Sequence, residues 1–268
     1  MLGKLLKHDI KETGRLLLPL NLIIIVITFI GIALGLTPLF GSQRAWPLLT
    51  LLIMTYCLAL LAVSGASFFY PIIHYYRSIF SRQGYLTLTL PLSTWTILGS
   101  KVITGFLWYL ANVLISIFSI IAVIAASAVD YLTMDYFAEF ILELQYTSYS
   151  MQNELGMGLI SFLIITAGIV FLSLFYSLMM GYFSVTVGQL YGKHKIVGSV
   201  LAYIIIYFIM NTIYTLVFLP NLIGVGMYMG GPLILWVSYG IVAGLSILFG
   251  GGFYFGSGII IQKKVNLD

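Results

Sequence analysis

Gly188, Gly192 and Lys193 come nearest to an enzyme motif, standing as a phosphate loop would but one residue short. That loop needs G-x-x-x-x-G-K-[ST], so that backbone N–H groups cradle phosphate and a hydroxyl holds Mg²⁺; here His194 follows the lysine. Any ATP hydrolysis is therefore expected from a separate chain, with no catalytic residue and no cofactor in this one. G-x-S-x-G and H-E-x-x-H do not occur, and Cys57 is the only cysteine, so an intrachain disulfide or a thiolate metal site is excluded and no metal site is expected. The regularly spaced polar groups are hydroxyls and amides instead. Tyr109, Asn112, Ser116 and Ser119 recur at helical steps, as do Tyr203, Tyr207, Asn211 and Tyr214, which puts each set on one helix face. Such stripes suit a translocation surface for a partly polar substrate, or hydrogen bonding between helices.

The elements that must position these groups are apolar. Hydrophobic residues make up 61% of the chain and charged residues 7%, with mean hydropathy +1.09; soluble domains carry roughly 25% charged residues. In lipid every backbone N–H and C=O must be paired within the protein, which leaves a helix bundle or a closed barrel. The apolar runs are continuous and longer than the ~20 residues a spanning helix needs, so the chain is an all-α membrane protein with six transmembrane helices. They cover residues 16–36, 47–69, 102–129, 156–187, 197–219 and 232–261. No linker or repeat interrupts them, and residues 1–268 read as a single domain. Gly240, Gly244, Gly251 and Gly258 predict a close-packing face on the sixth span. The span cores contain no Asp, Glu, Lys, Arg or His, which weighs against an ion-coupled secondary transporter and for an external energy source.

Charge sets the expected topology. Lys4, Lys7, Lys11 and Arg15 precede the first span; Arg77, Arg82 and Lys101 separate the second and third; Lys193 and Lys195 the fourth and fifth; Lys263 and Lys264 follow the sixth. Of 12 cations only Arg44 falls on the other side, so the positive-inside rule places both termini in the cytoplasm. Cations clustered beside spans are topology determinants, so the formal charge of +4 implies no nucleic-acid partner. Asp130, Asp135, Glu139, Glu143 and Glu154 share the opposite side, where residues 130–155 are expected to form short interfacial helices capping the exit.

On the basic side, Leu2, Leu5, Leu6, Ile10 and Thr13 oppose the lysines, predicting an amphipathic interfacial helix over residues 1–15 in contact with membrane lipid, with Pro19 marking the bend into the first span. Residues 70–101 read as a second cytoplasmic feature. Ile72, Ile73, Tyr76, Ile79 and Phe80 form an apolar stripe flanked by Arg77 and Arg82, Gly84 stops the helix, Pro91 closes an alternating stretch, and Ser93 caps the third span.

Three segments carry a resemblance: MLGKLLKHDIKETGRLLLPL at the start, YRSIFSRQGYLTLTLPLSTWTILGSK at 76–101 and GQLYGKHKIVGS at 188–199. They resemble the permease subunits of type-2 ATP-binding-cassette exporters from Gram-positive bacteria, and among these the exporters of phenol-soluble modulins and antimicrobial peptides. Where such relatives often carry acidic residues, this chain has Ser81, Arg82 and Gln83. The resemblance implies a multi-pass protein of the bacterial plasma membrane that pairs with a second permease chain, identical or homologous, and with two copies of an ATPase subunit holding ATP and Mg. It also implies a cytoplasmic coupling helix, here residues 75–84, seated on the ATPase. Tyr76, Arg77, Phe80 and Arg82 would make that contact, with Lys193 and His194 as secondary points. The cargo implied is an amphipathic peptide or hydrophobic drug. A stand-alone secondary transporter and a non-transporting anchor or sensor subunit are the alternatives.

Overall fold

The computed structural model describes residues 2–35, 46–81, 84, 93–127, 134–191, 194–228 and 231–264, and among them every regular element is helical. In chain order these are α1 (Leu2–Gly35), α2 (Trp46–Phe80), α3 (Thr94–Ser127), α4 (Met134–Leu155), α5 (Leu159–Gly188), α6 (Lys195–Tyr228) and α7 (Gly231–Lys264). All but α4 are long and apolar enough to cross a membrane, which makes this a multi-pass membrane protein. Their outward surface is hydrocarbon: Leu61 is 75% exposed, Ile160 74% and Phe29 67%. Water does not tolerate so continuous an apolar surface, whereas lipid does.

The helices are longer than the apolar runs alone predict. At 34 residues α1 measures about 51 Å against about 30 Å of hydrocarbon. Residues 1–15 are helical from Leu2, as expected, yet no break follows, because Pro19 lies inside α1. Proline removes one backbone donor, but a full break would expose several more polar groups beside lipid, which costs more. For the same reason residues 75–80 are the last turns of α2 rather than a separate short helix, and Pro71 lies inside it. Helix α3 begins eight residues ahead of its expected span, with Ser93 Oγ accepting the Thr96 N–H at 3.3 Å, the cap foreseen from sequence. Gly84, expected to stop the helix, does not mark its end: α2 ends at Phe80 and Gly84 is itself helical, its N–H bonded to Ser81 O at 2.7 Å and a Cβ excluded by the Ile79 carbonyl. The segment 130–155 holds one helix of 22 residues where several short ones are expected, closed by Gly156 at φ 70°.

Two compact units are distinguishable: residues 1–71 with 103–141, and residues 72–102 with 142–268. In the first, Leu17, Ile24, Val63, Ser67, Thr104 and Asn112 are buried. In the second, α5 packs on α6 and α7, and α6 on α7. Phe253 of α7 stacks on Phe183 of α5 at 5.0 Å, with Tyr176 and Phe249 beside it. The close-packing face predicted on the sixth span is corrected here. A Cβ at Gly240, Gly244 or Gly251 would meet nothing within 4 Å. Gly258, by contrast, lies against Trp95, Gly256 against Phe183 and Gly250 against Phe175. These glycines make room for aromatic rings, and rings from two other helices set which positions count.

Candidate functional site

In the second unit the end of α2 is locked down by aromatic residues. Tyr75 is fully buried, stacks on Tyr182 of α5 at 4.5 Å and 22°, and shares a 2.8 Å hydrogen bond with Thr186 Oγ1. Phe80 meets Tyr75 edge-on at 5.7 Å and is 9% exposed. Gly181 leaves the space that Ile72 fills. Tyr182 OH donates to the Lys101 carbonyl at 3.1 Å, tying α5 to the start of α3. Lys101 itself is 5% exposed, with Nζ 3.4 Å from His74 Nε2, also buried.

This geometry sorts the residues expected to touch an ATPase. Arg77 is exposed and Tyr76 half-buried, with Tyr76 6.5 Å from the Phe80 ring. Phe80 faces inward, so its apolar area is already spent within the chain. Ser81 Oγ donates to the Arg77 carbonyl. Arg82 and Lys193 lie outside the described residues. His194 is exposed, and its carbonyl accepts the Gly198 N–H at 2.9 Å at the start of α6. In the neighbouring turn the N–H groups of Gln189, Leu190 and Tyr191 are bonded to the carbonyls of Thr186, Val187 and Gly188, so these three do not open toward a phosphate.

The first unit holds the polar stripe of α3. Asn112 is fully buried and donates to Asn21 Oδ1 at 2.9 Å, while Asn21 Nδ2 donates to the Leu17 carbonyl. Ser119 meets Thr28 Oγ1 at 2.5 Å and Tyr56 OH at 2.6 Å. Asn21 and Thr28, like Asn112 and Ser119, are seven residues apart, so α1 and α3 meet along a heptad seam. Between the two readings of this stripe, the contacts at Asn112 and Ser119 are interhelical hydrogen bonds. Ser116 Oγ lies on the same line, buried and with no partner among the described residues, as are Trp108 Nε1 and Thr104 Oγ1. Tyr109 leans on Phe68 at 5.5 Å.

The α6 stripe divides. Tyr214 turns inward to Tyr176 at 5.8 Å and to Ser246 Oγ at 3.4 Å. Tyr207 is 49% exposed and stacks with Tyr203, and Asn211 is exposed near the helix midpoint.

Sequence reasoning assigned no site role to Asp9, His74 or Tyr182, took Lys101 only as a topology cation and Tyr75 only as the start of the coupling segment; all five are buried. A signal existed for Asp9, which continues the line of Thr13, Leu17, Asn21, Ile24 and Thr28 at steps of three and four. Asp9 also has ligand atoms of His8 and Glu12 within 4.8 Å, though all three stand on one helix turn and His8 is 76% exposed. Compared with protein-family models, curated proteins and solved structures, the chain matches none.

Proposed function

We propose that this chain is the membrane-spanning permease subunit of an ATP-driven exporter, moving amphipathic peptides or hydrophobic drugs outward across a bacterial plasma membrane. The observation that carries the reading is the locked end of α2. Tyr75, Phe80 and Ile79 fix residues 72–80 to α5 and the start of α3, while Arg77 and part of Tyr76 stay outward. A partner that pushes on Arg77 and Tyr76 therefore moves spanning helices and not a loose loop. The resemblance at 76–101 supplies the class of partner, an ATPase that binds ATP and Mg, with the basic ends of the helices in the cytoplasm. Tyr207 and Asn211, polar and exposed on α6, are the groups offered to the cargo or to a second permease chain.

Co-purification with a candidate ATPase subunit that binds ATP and Mg tests this. Arg77→Glu, at an exposed position, is expected to abolish association and transport while the melting temperature stays within about 2 °C of wild type, and the double variant Tyr76→Ala with Arg77→Ala to do the same at a somewhat larger stability cost, since Tyr76 is half-buried. Association and transport unaffected by the double variant would remove the coupling assignment. Phe80→Ala is no docking test, because it cuts the buried cluster.

The buried Lys101–His74 contact favours a second reading, an ion-coupled transporter, since a titratable pair in the protein interior is where a driving proton binds. Transport that persists without any ATPase and collapses with the proton gradient would select it.

A further inference from the structure

We propose that the groove between the basic half of α1 and Tyr70 of α2 binds one anionic phospholipid, a role independent of whether the chain transports anything. The groove has a volume of about 640 Å³ and is lined along one stripe of α1 by Glu12, Arg15, Leu16, Pro19, Leu20 and Ile23, with Tyr70 opposite. Its chemistry runs in one direction. Charged and hydrogen-bonding groups occupy the first turn, and only apolar side chains follow for the next two. That is the polarity profile of a phospholipid: a headgroup phosphate at Arg15, and an acyl chain along Leu16, Leu20 and Ile23.

Three observations favour an anionic lipid over a zwitterionic one. Lys7 and Lys11 precede Arg15 on α1 by two turns and one and are both exposed, so the headgroup end sits in a positive field. The one acid of the lining, Glu12, lies 3.8 Å from His8 Nδ1, one turn toward the N-terminus. No side chain among the described residues forms an ion pair with Arg15. Pro19 adds a further group, because it has no N–H to give the Arg15 carbonyl and leaves that oxygen available to a headgroup hydroxyl. Gly14 fixes the rotation of α1: a Cβ there would lie 2.7 Å from Trp108 Cζ2, so the neighbouring face seats against α3 and the Arg15 stripe is left to the groove.

The test is native mass spectrometry of the full chain released from micelles containing phosphatidylglycerol or phosphatidylcholine. One phosphatidylglycerol is expected to remain bound in preference to phosphatidylcholine. Arg15→Gln should weaken that retention about fivefold, the worth of one cation near an anionic lipid, with phosphatidylcholine unchanged. Lys4→Gln, outside the groove, should have little effect, and Ile23→Trp should displace the lipid by filling its apolar part without altering charge. The proposal is overturned if the two lipids are retained equally, if Lys4→Gln costs as much as Arg15→Gln, or if inorganic phosphate displaces phosphatidylglycerol at equal concentration. Should Arg15→Gln fail to fold, Ile23→Trp decides alone: retention at the wild-type level overturns the proposal.

Discussion

Asn21 and Asn112 show what a single polar contact is worth where water is absent. Each amide has the other as its partner across α1 and α3, and interhelical hydrogen bonds of this kind contribute about 0.6–2 kcal/mol. Asn112→Leu is expected to lower unfolding stability in detergent by about 0.6–2 kcal/mol, the worth of the lost bond, because the orphan it creates at Asn21 Oδ1 replaces the unpaired Asn112 Oδ1 of the wild type. Asn21→Leu with Asn112→Leu should recover part of that loss, since no orphan remains. Thermal unfolding of the three variants checks the order, and a double variant weaker than the sum of the singles would contradict it. The spacing of Asn112 and Ser119 identified their face, but periodicity cannot say which neighbour that face meets. Lys101 and Asp9 were illegible for another reason. Charge directs them to solvent in any sequence argument, whereas helices that run past the hydrocarbon carry their charged ends into protein contacts. Ser93 was legible because a capping serine acts through the backbone of its own few residues.

At the scale of elements, length and hydropathy found six spanning helices and misplaced their ends. For α1 the cause is Pro19, which read as a bend under rules drawn from water, where a freed carbonyl finds a solvent partner. Beside lipid it does not, and the helix continues. The continuity of α1 can be measured. Spin labels at Lys11 and Val26, both exposed, with Cys57 replaced, should report one narrow distance set by Cα atoms about 22 Å apart. A helix that turned into the membrane plane before Pro19 would give a shorter, broader distribution. The single helix α4 was missed in its length because its composition, with Glu139, Glu143 and Glu154 among tyrosines, suits many short interfacial segments equally well.

For the whole molecule, the segregation of charge along the chain is the property the sequence states most clearly. Helix α4 is exposed over residues 138–147 and contains neither lysine nor arginine, while it holds three of the chain's four glutamates. Glu12, the fourth, lies near the start of α1. Two proteases consequently see two different proteins. In sealed right-side-out vesicles a glutamate-specific protease is expected to split the chain near its middle, and trypsin to cut at most at Arg44. In inverted vesicles trypsin should trim both ends and the basic loops, while the glutamate-specific enzyme releases no more than a dozen N-terminal residues. The reverse pattern would place the termini outside. A helix that carries no cleavage site for one enzyme and several for the other is thus a built-in label of sidedness, readable on a gel without any engineered tag.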